Sequence, residues 1–153
     1  MRTKSGTEFE IIIYDDIHFE GVKALWRAAP LDLRGWRAPE VAIPAKLAMQ
    51  KELFLVAVRG DQVIGTTMAG YDGHRGWLYS VAVLPAHRRA GIGSALIREA
   101  EKRLIALGCH KINLQVVLAN FSVVSFYRKL GYGIEERISM SKPIGAFASE
   151  GTP

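Results

Sequence analysis

The sequence has little cysteine and no long hydrophobic run, and each absence excludes a class of protein. Cys109 is the single cysteine among 153 residues, so no intrachain disulfide can form, which is compatible with a reducing cytoplasm. No apolar run approaches the ~20 residues needed to span a bilayer. The first ten residues, MRTKSGTEFE, contain no signal-peptide hydrophobic stretch. We therefore expect a cytoplasmic protein with no membrane partner.

Internal repeats and metal-ligand clusters are also missing. His18, His87 and His110 have no Cys, His or Asp companions at ligand spacing, so the sequence predicts no metal site. Its length fits one domain of ordinary size. We expect a single domain over 1–140 and a loose C-terminal tail over 141–153.

The charge balance is basic, with a net charge of +5 and a pI near 9.5. Such a charge suits nucleic acid, an anionic membrane or a small polyanionic ligand. Most basic residues alternate with acidic ones, as in 97–104, and no contiguous basic helix or aromatic–basic platform is present, so nucleic acid is not the expected partner. One stretch differs: His87-Arg88-Arg89 lies beside two glycines with no acid nearby.

The order of apolar patterns predicts an α+β fold. A strand is followed by two helices, three strands joined by tight turns, and then helix, strand, helix, strand. This order indicates a mixed, mostly antiparallel sheet covered by helices. The predicted strands cover 10–14, 53–59, 62–71, 76–84, 111–117 and 132–139, and the predicted helices 15–29, 40–51, 91–107 and 121–130.

The segment 81–96 carries the clearest chemical signal. An apolar strand ends at Pro85, a basic loop follows, and a helix begins at Gly91-Ile92-Gly93. A helix N-terminus offers unpaired N–H groups and a partial positive charge, and both favour a phosphate. Glycine lets that phosphate approach the backbone closely. Arg88 and Arg89 add positive charge at the rim.

Two well-known phosphate loops do not fit this segment. A P-loop requires a Gly-Lys-Ser/Thr sequence, and no lysine follows these glycines. A dinucleotide fingerprint requires a third glycine, where this chain has Leu96.

The pattern Arg88-x-x-Gly91-x-Gly93 after Val81–Val83 and Pro85 resembles the acetyl-CoA signature of the GNAT superfamily of N-acetyltransferases. Asn120, Phe126-Tyr127 and Leu130-Gly131-Tyr132 match it at the expected distance. The resemblance covers most of the chain. The stretches GYDGHRG (70–76), LRGW (33–36) and ELFLVAV (52–58) are similar to the bacterial YpeA-type acetyltransferases.

The resemblance implies a three-layer fold in which the fourth strand splays from the fifth. It also implies that acetyl-CoA is the cosubstrate and that the acetyl group moves to a primary amine by direct attack. Tyr127 is the implied catalytic residue, facing the thioester sulfur. The implied cofactor-binding residues are Val81, Ala82 and Val83 along the pantetheine arm, Arg88, Arg89, Ala90, Gly91, Ile92, Gly93 and Ser94 around the pyrophosphate, and Asn120.

Simpler interpretations remain open for several of these residues. Tyr127 lies on the apolar stripe of its helix and could serve packing, and Asn120 could cap a helix. Trp36, between two arginines, is the predicted wall of an acceptor site. The general base is not identified, because Gln115 stands where some relatives carry a carboxylate. A water relay, a distant residue such as Glu135 and an acceptor whose amine has a low pKa all remain open.

Three functions remain to be distinguished: an acetyltransferase, a non-catalytic acyl-CoA-binding sensor, and a nucleic-acid binder. We favour the first. The acceptor is left open among polyamines, amino acids, antibiotics and peptide amines, and so is a homodimer.

Overall fold

A five-stranded sheet forms because five segments carry apolar side chains that can be buried on both faces. The computed structural model describes residues 8–150. The central strands are buried along nearly their whole length, while the edge strands are only partly covered. The strands are β1 (Glu10–Ile13), β2 (Phe54–Arg59), β3 (Gln62–Tyr71), β4 (Gly76–Val83) and β5 (Ile112–Leu114).

The strands lie in sequence order across the sheet. β1, β2, β3 and β4 pair antiparallel, and β4 and β5 pair parallel. Tight turns at Gly60-Asp61 and Asp72–Arg75 connect β2 to β3 and β3 to β4, and Gly60 and Gly73 supply the positive φ values of 58° and 90° that such turns need. The predicted mixed, mostly antiparallel sheet is confirmed.

Helices cover both faces of this sheet and make three layers. The helices are α1 (Phe19–Ala28), α2 (Pro39–Leu47), α3 (Ile92–Ala106) and α4 (Val124–Lys129). Val22, Leu25 and Trp26 of α1 pack with Ile43 of α2 in one core. The apolar stripe of α3 packs on the other face, with side chains of α4 against it.

β4 and β5 separate after a short paired region. Their register joins Gly76 to Ile112, Trp77 to Asn113 and Leu78 to Leu114, and no later pair forms. The edge of β4 from Tyr79 to Val83 therefore has no neighbouring strand on that side. The predicted splay between the fourth and fifth strands is confirmed.

The predicted last strand over 132–139 is wrong, and β5 is shorter than predicted. Residues 132–139 contain no strand. Their contacts with the β5 segment are made by side chains: Glu135 pairs with Lys111 and Asn113, and Ser139 accepts from Gln115. The run Glu135-Glu136-Arg137 is exposed, so the segment gains little apolar burial from joining the sheet.

Beyond residue 140 the described chain contains a 3₁₀ helix at Gly145–Glu150, which lies beside a 3₁₀ helix at Gly35–Arg37. Residues 151–153 and 1–7 lie outside the described part, so the domain boundary at 140 stays a prediction. Within residues 8–150, no helix is long and apolar enough to cross a membrane.

Candidate active site

An irregularity in β4 lies where the strand leaves β5. The pairing with β3 shifts register between Tyr79 and Ala82, and Ser80 has a left-handed φ of 50°. This conformation is costly for a residue other than glycine, so it needs fixed partners. The Thr66 hydroxyl supplies one by donating to the Ser80 carbonyl at 2.9 Å, and it accepts from Trp26 Nε1 at 2.9 Å.

The distorted segment leads into the residues predicted to follow the cofactor arm. Val81 and Val83 point toward the α3 face, and Ala82 is buried on the α1 face. Ala82 and Val83 pair with Thr66 and Gly65 of β3. The other edge of β4 at these residues faces the gap that opens where β5 ends. An extended ligand could bind the backbone there as an added strand.

The start of α3 presents a run of unused backbone donors. Gly91 has a φ of 79°, which turns the chain from the loop into the helix. Among the described residues, none accepts a hydrogen bond from the six amides of 89–94, which belong to Arg89, Ala90, Gly91, Ile92, Gly93 and Ser94. No side chain caps this helix. The arrangement suits an anion.

The two arginines beside this turn differ in their placement. Both are exposed. Arg88 Nε donates to the Val83 carbonyl at 3.4 Å, so Arg88 also links the loop to the end of β4. Arg89 has a φ of 64° and no ion pair or hydrogen bond within residues 8–150, so its guanidinium can reach a ligand.

Gly93 brings α4 against the first turn of α3. A Cβ on Gly93 would lie 3.2 Å from the Phe126 ring, so its role here is close helix packing. The next residue, Tyr127, packs against the same core, and its ring centroid lies 5.1 Å from that of Phe126. The turn at Gly91–Gly93, predicted to hold a phosphate (the phosphate turn), is thus linked to the predicted catalytic residue Tyr127 through the ring of Phe126.

The Tyr127 hydroxyl has no hydrogen-bond partner in the described part of the chain. Burial raises the pKa of this phenol above its ordinary value, so Tyr127 stays protonated and can donate. The neighbouring Tyr132, 6.0 Å away between ring centroids, instead donates to Glu101 at 3.0 Å. The hydroxyl of Tyr132 is therefore engaged within the protein, whereas the hydroxyl of Tyr127 is available to a ligand.

Asn120 lies in the 3₁₀ turn before α4. The helix N-cap is Val123, which has no side-chain capping bond, so Asn120 is not the cap of α4. Its side chain is half-buried and makes no hydrogen bond to the rest of the described residues. The amide is therefore free to bind another molecule.

A cleft of about 880 Å³ opens on the opposite face of the sheet, beside the same gap. Its walls are the end of α2, the β3–β4 hairpin and Gln115, which follows β5. The lining residues are Lys46, Ala48, Met49, Gln50, Gly70, Tyr71, Asp72, Trp77, Leu78, Tyr79, Ser80 and Gln115. Trp36 is not among them; it is half exposed, with the Arg37 guanidinium 4.4 Å from its ring centroid.

Neither Glu135 nor Asp72, two carboxylates near this end of the sheet, is a strong base. Glu135 is held by Lys111 at 2.7 Å and by Asn113 at 2.6 Å, and these contacts lower the pKa of its carboxyl. Asp72 accepts from the His74 and Arg75 amides, which lower its pKa as well. A carboxylate with a lowered pKa is a weaker proton acceptor. No cluster suited to a metal ion occurs among residues 8–150.

Sequence reasoning missed the residues that shape the distorted strand and the cleft. Thr66 looked like an ordinary strand residue and Lys46 like a solvated lysine on a short helix. No local pattern marks either one, because the partners of Thr66 lie 40 and 14 residues away in the chain. Trp77 and Tyr79 of β4 also line the cleft.

The model of the family described as "Acetyltransferase (GNAT) family" matches residues 19–132. An acetyltransferase of Sodalis glossinidius is 46% identical over 131 residues, which is 86% of this chain and 90% of that protein. An acetyltransferase of Yersinia pseudotuberculosis is 44% identical over 133 residues, 87% of this chain and 94% of the other.

Solved structures share the fold at lower identity. A PaiA N-acetyltransferase of Thermoplasma acidophilum in complex with coenzyme A superposes with a TM-score of 0.76 at 22% identity, over 85% of this chain and 92% of that one. An aminoglycoside N-acetyltransferase in complex with coenzyme A gives 0.72 at 18% identity, over 92% and 98%. At these identities the likeness concerns the fold.

The link from Trp26 through Thr66 to Ser80 leads to a first prediction. Thr66→Val leaves the indole N–H and the Ser80 carbonyl without this partner, and we expect a loss of about 1–3 kcal/mol in the free energy of unfolding. The same change should speed amide hydrogen exchange around Ser80. Urea unfolding measures the free energy, and amide hydrogen exchange of the folded protein measures the local opening around Ser80.

Thr67→Val is the matched control. Thr67 is also fully buried, but its hydroxyl makes only a 3.4 Å contact with the Met68 carbonyl. Equal destabilisation by the two variants would show that the link does not hold the distorted strand.

Proposed function

Because this chain belongs to the GNAT acetyltransferase family and is an acyltransferase, we propose that it moves an acetyl group from acetyl-CoA to a primary amine. Two features support this most directly. Six backbone amides at the start of α3 have no acceptor among the described residues, and the adjoining helix α4 carries the Tyr127 hydroxyl, which has no hydrogen-bond partner there either. A YpeA-type subfamily, a cytoplasmic location and a homodimer stay predictions.

The residues around the gap between β4 and β5 offer groups that would bind the cosubstrate. The amides of Arg89–Ser94 and the side chain of Arg89 would hold the diphosphate, since a helix N-terminus and a guanidinium both favour it. The free edge of Val81, Ala82 and Val83 would pair with the amide groups of the pantetheine arm. Asn120 would bind the same arm from the start of the α4 region. Acetyl-CoA supplies an activated thioester carbonyl.

We place the meeting point of the two reactants at the gap between β4 and β5. The amine nitrogen, in the cleft, forms a bond to the carbonyl carbon, and the carbon–sulfur bond breaks. A backbone N–H near Val81 or Ala82 would stabilise the oxyanion, a donor whose loss elsewhere costs roughly 10²–10³ in rate. The proton released by the amine balances the charge of the departing thiolate.

Tyr127 would donate a hydrogen bond to the thiolate. An ordinary phenol has a pKa of about 10 and a thiol about 8.5, so full transfer of the phenolic proton is uphill by roughly 2 kcal/mol. Burial raises the pKa of Tyr127 further and makes transfer less favourable still. The hydroxyl therefore acts as a hydrogen-bond donor and not as a source of the proton.

The acceptor enters as the neutral amine. With Glu135 and Asp72 held in ion pairs or hydrogen bonds, attack by the neutral fraction of the amine is the mechanism that the residues support. Rate should then rise with pH as more of the acceptor loses its proton.

Charge at the phosphate turn can be reversed to test cofactor binding. Arg89→Glu places a carboxylate beside the diphosphate, so we expect the dissociation constant for acetyl-CoA to rise by about tenfold or more, with a smaller effect at high salt. Calorimetry measures both. Arg98→Glu, an exposed position further along α3, is the control for net charge. Equal weakening by both variants would contradict the assignment.

Removing one hydroxyl tests the chemical step. We expect Tyr127→Phe to lower kcat at least about tenfold, because a hydrogen bond to a charged group contributes about 1.5–3 kcal/mol, with little change in acetyl-CoA affinity. Release of free thiol measures the rate. Tyr132→Phe removes the neighbouring phenol and should keep most of kcat. Unchanged turnover in the Tyr127 variant would remove Tyr127 from the mechanism.

A further inference from the structure

The cleft contains one buried cation, Lys46, that has no role in the mechanism proposed above. Lys46 is on α2, and only 6% of its surface is exposed. Its Nζ donates to the carbonyl of Ala69 and lies 5.6 Å from the ring centroid of Tyr79. Tyr79 itself is 42% exposed and forms part of the cleft wall. The ammonium group is thus placed between the edge of β3 and the cleft.

Lys46 is held in this position by the way α2 ends. Gln50, with a left-handed φ of 55°, pairs both its amide oxygen and its amide nitrogen with the backbone of Tyr71, each at 2.9 Å. β2 begins at Phe54, which pairs with Met68, so on that side β3 has no strand partner beyond Met68, while its other side still pairs with β4. The side chains of Gln50 and Lys46 take the place of the missing strand.

The part of the chain that the structure describes offers this ammonium no counter-ion. No carboxylate within residues 8–150 lies within ion-pair distance of Lys46 Nζ; Glu52 acts on it only from further away. Burial lowers the pKa of Lys46, which reflects the cost of a desolvated charge. An ammonium has three donors, and Ala69 takes one. An anion from solution would satisfy the rest.

We propose that the cleft selects an amine that also carries an anionic group, which Lys46 binds while the amine faces the gap between β4 and β5. This rests on the proposed function, because it assigns the cleft to the acceptor. The anionic group is a carboxylate or a phosphate, since an ammonium binds either as a point charge.

The rest of the cleft supports this choice over a polycationic acceptor. Trp77, Tyr79 and Tyr71 offer apolar and aromatic surface for the middle of a small molecule. Among the described residues that line the cleft, Asp72 is the one carboxylate, and it lies exposed at the β3–β4 turn with its Oδ1 bound to backbone amides. A second ammonium on the acceptor would meet Lys46 and be repelled.

The test compares acceptors that differ in one charge. The pairs are L-leucine with L-leucinamide, and O-phosphoethanolamine with ethanolamine, each assayed with acetyl-CoA by thiol release. In the unaltered protein the anionic member of at least one pair should have the higher kcat/KM. In Lys46→Met that preference should fall by about tenfold or more, the usual size of a charge-assisted hydrogen bond. Comparing ratios between proteins cancels the intrinsic reactivity of each amine.

Lys51→Met is the matched control, because Lys51 is an exposed lysine that does not line the cleft. It makes the same change of charge and should keep the preference. Should Lys46→Met melt far below the unaltered protein, Lys46→Gln, which retains a donor for Ala69, is used in its place.

A binding measurement separates the anion site at Lys46 from the proposed acetyl transfer to an amine. Calorimetry with coenzyme A present compares N-acetyl-L-leucine with N-acetyl-L-leucinamide, and tighter binding of the carboxylate that is lost with Lys46 supports the anion site without any turnover. Amine turnover with no Lys46-dependent preference in rate or binding overturns the inference and leaves the acetyltransferase intact. Lys46-dependent binding with no turnover of any amine supports the anion site and contradicts the proposed acceptor chemistry.

Discussion

The proposed site depends on the separation of β4 from β5 after only three residue pairs. That separation leaves one edge of β4 without a strand partner in the middle of an otherwise paired sheet. An exposed edge is normally a liability. Here the edge lies between the start of α3 and the cleft near Lys46. A ligand that pairs with this edge would therefore extend from the α3 face of the sheet toward the cleft.

A buried hydrogen-bonded chain keeps this edge in place. Trp26 and Thr66, both almost inaccessible to solvent, hold the carbonyl of Ser80 while its backbone adopts a costly conformation. On the other face, the contact of Gly93 with Phe126 fixes the distance between α3 and α4. Buried contacts therefore position groups that have no hydrogen-bond partner within residues 8–150, including the amides of Arg89–Ser94 and the Tyr127 hydroxyl.

The sequence predicted the parts of this arrangement that depend on local patterns. Helix starts, tight turns and alternating strands follow from nearby residues, and the glycine turn at Gly91 stands out for the same reason. The strand expected over 132–139 does not form, and two of its apolar residues, Ile134 and Ile138, stay exposed. Lys46 and Thr66 could not be identified, because their roles come from contacts across the sheet and leave no trace in the neighbouring sequence.

The most direct test of the central claim is an amide NMR titration with coenzyme A. If the helix start holds the diphosphate and the free edge of β4 holds the pantetheine arm, the largest shifts should occur at the amides of Arg89–Ser94 and Val81–Val83, with smaller shifts on β1 and β2. Saturable binding that shifts other amides and leaves these two segments unchanged would contradict the account.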